Sequence, residues 1–461
     1  MISEPIESTA PPGHALDRAS GGRPVPGNAV RLLTDGPEIF PEALAAIEQA
    51  QAWIHFDNYI FRPDRIGREF ADALIARAQA GVRVRVLTDW LGSAGTPRDF
   101  WDRLRRAGVE VRQFNPLRLL DLGANLTRNH RKMIVVDGRW ALTGGFSIGD
   151  EWTGDPERGR QPWRETGVSI RGPAATVLDQ AFAHAWAATG TALPVEELAG
   201  EVASEGPSEV RVIAGVPGRD RALRVMDYLL GGSTRRYWVT DAYFVAPRRL
   251  FQSLLDAARD GVDVRLLVPG SSDLPLIRNL TRIGYRRLLR GGVRIYEWNG
   301  PMLHAKTVVA DGRWTRIGSS NLNPASLYGN WELDVLIDDP TFGAGMEARF
   351  RRDLELSAEI TFRPVLRKMK AGPTRLDITH TSELRVAHRP GFRERRTRGV
   401  NTFRTLFGMA KLATFGPLAV TALLVGVLLV LLPNAMAAVF AVLLLRGAVA
   451  SGIQALRRER D

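Results

Sequence analysis

The chain has 461 residues, of which 45% are hydrophobic and 24% are charged, the composition of a globular protein with room for two or three domains. It contains no cysteine, which excludes disulfide bonds and thiolate metal sites. The formal net charge of +12 favours anionic partners such as phospholipid headgroups, phosphate esters or nucleic acid, although an arginine bias of the genome would produce the same charge.

Proline and glycine are frequent at the start of the chain. The run Gly21–Gly27 has the sequence GGRPVPG, and residues 1–28 lack the pattern of a signal peptide. We therefore expect a disordered leader over residues 1–28.

The body of the chain contains an internal repeat of one α/β unit, which occurs twice. Each copy begins with an apolar strand, followed by a helix, a strand that starts at a glycine, a second helix and a third strand. The matching ranges are 54–61 and 238–244 for the first strand, 67–80 and 249–260 for the first helix, 81–87 and 261–267 for the second strand, and 108–111 and 292–295 for the third. This alternation predicts an α/β fold with two domains, over residues 29–197 and 209–365, joined by a turn-rich linker at 198–208.

Lysine is almost absent from this body. The chain has five lysines against 57 arginines, and only Lys132 and Lys306 lie within the first 365 residues. Each follows a histidine by two positions, at His130 and His304, so that on a strand the two side chains of a pair point to the same face. A compact ammonium differs chemically from a planar guanidinium, which indicates a specific requirement for lysine at both places.

The two segments continue to match after the lysines. In both copies an aspartate and a glycine follow and predict the turn that ends the strand, then come small polar residues and a glutamate. The matching pairs are Asp137 and Asp311, Gly144 and Gly318, Ser147 and Asn321, and Glu165 and Glu332.

This duplicated set suits phosphodiester exchange. One imidazole would attack phosphorus and form a covalent intermediate, and the other would protonate the departing alkoxide and then deprotonate the incoming alcohol. The lysines and Asn321 would hold the non-bridging oxygens. Glu165 and Glu332 would each fix the tautomer of an imidazole, or would only form structural ion pairs. This chemistry requires no metal.

Both segments resemble the His-x-Lys-x4-Asp-x6-Gly-x2-Asn motif of the phospholipase D superfamily, and the resemblance extends over about residues 29–365. Within that superfamily the chain is similar to the bacterial cardiolipin synthases, especially their shorter, B-type branch. The segments His130–Trp152 and Leu303–Leu327 carry most of the resemblance. It implies two pseudo-twofold-related α/β domains with mixed sheets flanked by helices.

The resemblance also implies an activity and its residues. Such enzymes transfer a phosphatidyl group between phosphatidylglycerol molecules and release glycerol, without a cofactor, so that phosphatidylglycerol and cardiolipin are the expected partners. The family pattern makes His130 the nucleophile and His304 the acid and base, with Lys132, Lys306, Asp137 and Asp311 completing the catalytic set. Ser147 stands where the family usually has asparagine, and so offers a shorter phosphate donor.

Three other functions remain open at this point. Water could replace the alcohol, which would make the protein a phospholipase or a nuclease, and the motif does not separate these from a transferase. The positive charge suits a nuclease, whereas clearly patterned stacking aromatics are lacking, so that nucleic acid is the less favoured partner. A lipid-binding scaffold without activity would explain Ser147 but not the intact histidines and lysines.

The C-terminal part is different in composition. Residues 366–404 are basic and predict a juxtamembrane segment on an anionic surface, with a solvated tail as the alternative. Residues 412–445 contain no charged residue, and residues 405–461 predict a transmembrane helical hairpin with a turn at Pro433–Asn434. Basic residues on both sides place both ends in the bacterial cytoplasm, with the catalytic domains on that side of the membrane. A single span with an interfacial second segment is the alternative.

Overall fold

The computed structural model describes residues 13–116, 125–362 and 384–386. The strands are β1 (Val25–Thr34), β2 (Trp53–Asn58), β3 (Arg83–Asp89), β4 (Glu110–Phe114), β5 (Lys132–Val136), β6 (Trp140–Gly144), β7 (Thr166–Arg171), β8 (Ser208–Gly215), β9 (Arg236–Thr240), β10 (Asp263–Pro269), β11 (Arg294–Trp298), β12 (Thr307–Ala310), β13 (Trp314–Gly318), β14 (Glu332–Asp338), β15 (Ser357–Phe362) and β16 (Leu384–Val386). The helices are α1 (Gly13–Ser20), α2 (Asp35–Glu48), α3 (Arg65–Gln79), α4 (Arg98–Arg106), α5 (Asp150–Thr153), α6 (Ala174–Ala187), α7 (Arg221–Gly232), α8 (Arg248–Arg259), α9 (Pro275–Arg290) and α10 (Pro340–Glu355).

The described strands form one mixed sheet in which the two copies of the sequence unit are the two halves. The first half has the order β4-β3-β2-β5-β6-β7-β1, and the second has the equivalent order β11-β10-β9-β12-β13-β14-β8. Strands β1 and β8 lie side by side in the middle and join the halves. In each half the first three strands of this order are parallel and the others antiparallel, as the predicted α/β fold with mixed sheets requires.

Local sequence signals account for the repeated elements. Helix α3 starts after Asp64, whose carboxylate accepts a hydrogen bond from the Gly67 N–H at 3.0 Å, and it buries Ile66, Phe70 and Leu74 on one face. Burial on every fourth residue is what the spacing predicts for a helix against a sheet. The chain then turns at Gly81, whose φ of +91° suits glycine.

The start of the chain is a correction to the sequence analysis. The prediction of a disordered leader is wrong for residues 13–28, which form α1 and the first part of β1. Leu16 and Ala19 pack against the core of the second half, and Arg211 of β8 forms an ion pair with Asp17. These long-range contacts order a segment whose local composition favours disorder. Residues 1–12 lie outside the described part of the chain.

The two halves share a hydrophobic core. One cluster of buried side chains combines Val135 and Leu178 from the first half with Val335 and Phe350 from the second. Two further clusters each lie mainly within one half. A shared core fixes the two histidine-bearing segments relative to each other.

No helix within the described ranges is long and apolar enough to cross a membrane. The predicted hairpin at 405–461 lies outside those ranges. So does the predicted basic segment at 366–404, except for the three residues of β16, which pair with β15.

Candidate active site

The two histidines stand where a segment of one half hydrogen-bonds with the other half. The His130 N–H donates to the Trp331 carbonyl at 2.9 Å, and the His304 N–H donates to the Arg164 carbonyl at 2.8 Å. Lys132 is the first residue of the buried strand β5, and Lys306 directly precedes the buried strand β12. The backbone therefore places the two imidazoles by equivalent contacts across the pseudo-twofold relation.

Each imidazole is paired with the glutamate of the other half. His130 Nδ1 lies 3.0 Å from Glu332 Oε2, and His304 Nδ1 lies 2.8 Å from Glu165 Oε2. Sequence spacing aligned the two glutamates with each other but did not show which ring each would reach. The crossing means that each histidine depends on both halves of the chain.

Both carboxylates are ionised in this arrangement. Burial would raise the pKa of Glu165 and Glu332, but the interaction with the hydrogen-bonded partner histidine, together with a nearby lysine, outweighs it and holds each pKa below its ordinary value. An ionised carboxylate accepts a hydrogen bond from Nδ1–H, so the lone pair of the neutral ring lies on Nε2. The arrangement therefore presents Nε2 of both imidazoles as the reactive atom.

The two carboxylates differ in their other hydrogen bonds. Ser319 and Ser326 both donate their hydroxyl hydrogen to Glu332. The position equivalent to Ser319 in the first half is Gly145, where a Cβ would lie 2.5 Å from Glu165 Oε1. Glu332 is therefore held by hydroxyl groups, whereas Glu165 approaches the backbone closely at a glycine.

The lysines are buried next to their histidines. Lys132 Nζ donates to the His130 carbonyl at 2.7 Å, and Lys306 Nζ donates to the His304 carbonyl. Burial, together with the charge of Lys306, lowers the pKa of Lys132 to about 7, and burial also lowers the pKa of Lys306. Buried ammonium groups favour a neighbouring anion, so this place suits negative charge.

The four groups belong to one electrostatic cluster. Burial lowers the pKa of His130, and the charges of both Lys132 and Lys306 lower it further. Burial and the two lysines likewise lower the pKa of His304, to about 4. Because each histidine is affected by the lysine of the other half, the duplicated motifs face a common space.

Ser147 and Asn321 occupy equivalent positions in the two halves. Both are buried, and the Ser147 hydroxyl and Asn321 Oδ1 have no hydrogen-bond partner among the residues that the structure describes. Buried polar atoms normally have partners, so these two are available to a ligand. No group of three or more acidic or histidine side chains in the described ranges is arranged to hold a metal ion.

Asp137 and Asp311 lie at the far ends of their strands. Asp137 comes five positions after Lys132, about 16 Å along an extended strand. The Asp137 carboxylate accepts hydrogen bonds from three successive backbone N–H groups at residues 51–53, and Asp311 does the same at residues 234–236. Both start a turn with φ near +50°, which confirms the predicted turns. The structure does not bring either carboxylate to the imidazoles.

Aromatic side chains around the imidazoles were not singled out from the sequence. The Tyr59 ring lies 4.9 Å from the His130 ring, and the Tyr243 ring lies 5.9 Å from the His304 ring. Lys132 Nζ lies 5.2 Å from the Tyr59 ring, and Lys306 Nζ lies 5.8 Å from the Tyr243 ring. Tyr59 and Tyr243 follow the first strand of each repeat at equivalent positions, and this match could have identified them from the sequence.

A second set of aromatics surrounds only one histidine. Trp152 and Trp163 both lie 5.6 Å from the His304 ring. The His304 side chain is 7% exposed and that of His130 is 12% exposed. The two imidazoles therefore differ in their surroundings, although the motif is nearly symmetric.

Comparison with known proteins agrees with this geometry. The family model described as "Cardiolipin synthase, PLD-like domain" matches residues 43–186 and 227–354, which contain both histidine–lysine pairs. The chain belongs to this family. The predicted membership of the phospholipase D superfamily is thereby confirmed.

Curated relatives carry the same name. The cardiolipin synthase of Geobacillus kaustophilus (strain HTA426) is 36% identical over 314 residues, which cover 66% of this chain and 62% of that protein. The cardiolipin synthase of Alkalihalophilus pseudofirmus is 32% identical over 358 residues, which cover 75% and 71% of the two chains. The chain therefore spans about two thirds of the length of these relatives.

Solved structures share the fold at low sequence identity. Phosphatidylserine synthase from Haemophilus influenzae Rd KW20 has a TM-score of 0.60 and 16% identity, covering 75% of this chain and 91% of that one. Polyphosphate kinase from Porphyromonas gingivalis has a TM-score of 0.51 and 14% identity, covering 78% and 52%. At these identities the likeness concerns the fold alone.

Proposed function

We propose that the chain is a phosphatidyltransferase that moves the phosphatidyl group of one phosphatidylglycerol to a second and releases glycerol. The names of the curated relatives support this substrate class. The observation that carries the chemistry is the crossed pairing of two imidazoles with two carboxylates, beside two buried lysines. This arrangement supplies a nucleophile, an acid and cations for the phosphate within one cluster.

In the first half-reaction, His130 Nε2 attacks the phosphorus of phosphatidylglycerol. The bond between phosphorus and the glycerol oxygen breaks, and His304 Nε2 gives its proton to that oxygen. Glu332 keeps the Nδ1 proton of His130 in place and stabilises the charge that develops on the ring. The products are glycerol and a phosphatidyl group bound to His130.

In the second half-reaction, His304 Nε2 takes the proton from a hydroxyl of another phosphatidylglycerol. That oxygen attacks phosphorus, and the bond between phosphorus and His130 breaks. Cardiolipin leaves, and both imidazoles return to their starting state. Glu165 supports His304 in both steps, as Glu332 supports His130.

Substrate charge prepares His304 for its role as an acid. Burial and the lysines hold the pKa of His304 at about 4, so that the ring is neutral before substrate binds. An anionic phosphodiester between Lys132 and Lys306 offsets the lysine charges and raises this pKa. Ser147 and Asn321 supply further polar contacts to the non-bridging oxygens.

The setting of this reaction is the membrane. We propose that residues 405–461 anchor the chain in the bacterial cytoplasmic membrane, since residues 412–445 carry no charge and basic residues flank the apolar part on both sides. This places the catalytic halves on the cytoplasmic side. Phosphatidylglycerol and cardiolipin are the proposed lipid partners.

Product analysis tests the proposal. Detergent-solubilised full-length protein is incubated with labelled phosphatidylglycerol, and mass spectrometry is expected to find cardiolipin and glycerol. His130→Ala and His304→Ala should each lower the rate by at least about 10³-fold. His14→Ala, on the exposed part of α1, is the matched control and should retain the wild-type rate. Phosphatidic acid as the main product would instead show hydrolysis.

A substrate with a good leaving group shows which histidine is the nucleophile and which is the acid. Phosphatidyl p-nitrophenol needs no acid for the first step, so His304→Ala should release a burst of about one p-nitrophenol per active site. His130→Ala should give no burst. The reverse pattern would exchange the roles of the two histidines.

A further inference from the structure

The two halves differ in the charge of one pair of helices. Helices α8 and α9 carry eight arginines and one acidic residue, Asp256. The equivalent helices of the first half, α3 and α4, carry seven arginines and four acidic residues. The net charges are therefore +7 and +3. A genome-wide arginine bias acts on both halves alike, so it does not explain the missing acidic residues on α8 and α9.

The outward face of this helix pair combines arginine with exposed apolar surface. A cavity of about 560 Å³ lies between the helices and is lined by Arg259, Arg286, Arg287, Arg290 and Ile283. The Ile283 residue is 76% exposed. Basic side chains around an exposed apolar residue are the chemistry of a helix that lies at an anionic membrane surface.

Helix α9 begins beside the active site. The Tyr243 hydroxyl donates to Asp273 at 2.9 Å, and the Tyr243 ring stands next to His304. Leu274 and Leu276 follow directly and are 47% and 48% exposed. From there α9 extends over 16 residues, about 24 Å, to Arg290. The exposed surface of α9 thus extends from the neighbourhood of the active site to the arginine-lined cavity.

We propose that this outward face of α8 and α9 docks on an anionic phospholipid bilayer. The docking surface consists of Leu276, Ile283, Arg259, Arg286, Arg287 and Arg290. Its leucine and isoleucine enter the headgroup layer, and its arginines bind the lipid phosphates. The proposal rests on the proposed function in assuming that the substrate is a membrane lipid, and it adds which face of the protein meets that membrane.

The absence of cysteine allows a site-specific test on the full-length chain. A single cysteine is introduced by Ile283→Cys or, as the control, by Val195→Cys, and is labelled with a polarity-sensitive fluorophore. Val195 is 80% exposed and lies near Glu197. Glu197 pairs with Arg83 at the start of β3, whereas the active site lies beyond the other end of the parallel strands. Each protein is reconstituted in phosphatidylcholine vesicles with or without phosphatidylglycerol.

The probe at position 283 is expected to shift to shorter wavelength, and to be quenched by brominated acyl chains, only when phosphatidylglycerol is present. The probe at position 195 should stay water-like in both vesicles. An unresponsive probe at position 283, or equal responses at both positions, would overturn the proposal. A response to RNA without a response to vesicles would overturn it in favour of a nucleic-acid surface.

Charge variants separate docking from catalysis. The variant Arg286→Gln/Arg287→Gln/Arg290→Gln should lower activity on phosphatidylglycerol vesicles by about 10²-fold. Its activity on short-chain, water-soluble phosphatidylglycerol should remain unchanged. The matched variant Arg103→Gln/Arg105→Gln/Arg106→Gln on α4 should leave both activities intact, and equal losses in the two variants would contradict docking by α8 and α9. A probe response without product from any substrate would support docking while refuting the proposed function.

Discussion

Burial lowers the pKa of the Lys132 ammonium group to about 7. An anion bound beside it favours the protonated form and raises that pKa. Binding then takes up a proton at any pH between the free and the bound pKa, and affinity falls as the pH rises through this interval. Below the free pKa the lysine is already protonated, so it adds no pH dependence there. An arginine at this position would stay protonated throughout.

We therefore expect sulfate, which does not titrate near neutrality, to bind the free enzyme with proton uptake at pH 7.5. Calorimetry in two buffers of different ionisation enthalpy measures the number of protons. Lys132→Arg should reduce the uptake and lower the transfer rate by about 10²-fold, because a guanidinium cannot occupy the position of a compact ammonium. The exposed Arg139→Lys should change neither quantity. Sulfate binding without proton uptake by the wild-type protein would contradict the role assigned to Lys132.

At the scale of elements, the two motif aspartates connect the ends of β5 and β12 to the neighbouring strands β2 and β9. Asp311 accepts backbone hydrogen bonds at residues 234–236, at the start of β9, and these bonds hold its pKa below the ordinary value of 3.8 despite burial. Because the folded pKa is the lower one, this stabilisation is complete above the unfolded pKa. It is lost as the pH falls through the folded pKa.

Asp311→Asn and Asp137→Asn should each lower the free energy of unfolding by about 1–3 kcal/mol at pH 7, since an amide NH₂ would face backbone N–H donors. For Asp311→Asn the difference from wild type should shrink below about pH 4. Denaturant titrations measure both effects. The rate per folded molecule should stay near that of wild type. A large loss of rate at unchanged stability would instead support the catalytic role that the sequence motif implies.

Elements with strong local sequence signals were predicted correctly, whereas contacts that depend on the packing of the two halves were not. Residues 65–79 and 83–89 were predicted to within a few positions, because helix and strand periodicity and the glycine at 81 are local signals. The crossing of Glu165 to His304 depends on how the halves pack, which no local spacing encodes. Helix α1 was missed for the same reason, because its order comes from contacts with α7 and β8.

At the scale of the whole molecule, two different attachments to the membrane are proposed. The hairpin at 405–461 would anchor the chain through the hydrophobic effect, which salt does not weaken. The docking surface on α8 and α9 would act largely through charge, which is screened within about 3 Å at 1 M salt. All the described residues belong to one compact unit, so a chain that ends at residue 404 is expected to fold.

Removing residues 405–461 should therefore separate the two attachments. The truncated protein should sediment with phosphatidylglycerol vesicles at low salt and be released at 1 M salt, whereas the full-length protein should remain bound at both. Adding Arg286→Gln/Arg287→Gln/Arg290→Gln to the truncated protein should abolish the remaining low-salt binding. Retention of the truncated protein at 1 M salt would show that the hairpin is not the main anchor. Release already at low salt would show that α8 and α9 add no attachment of their own.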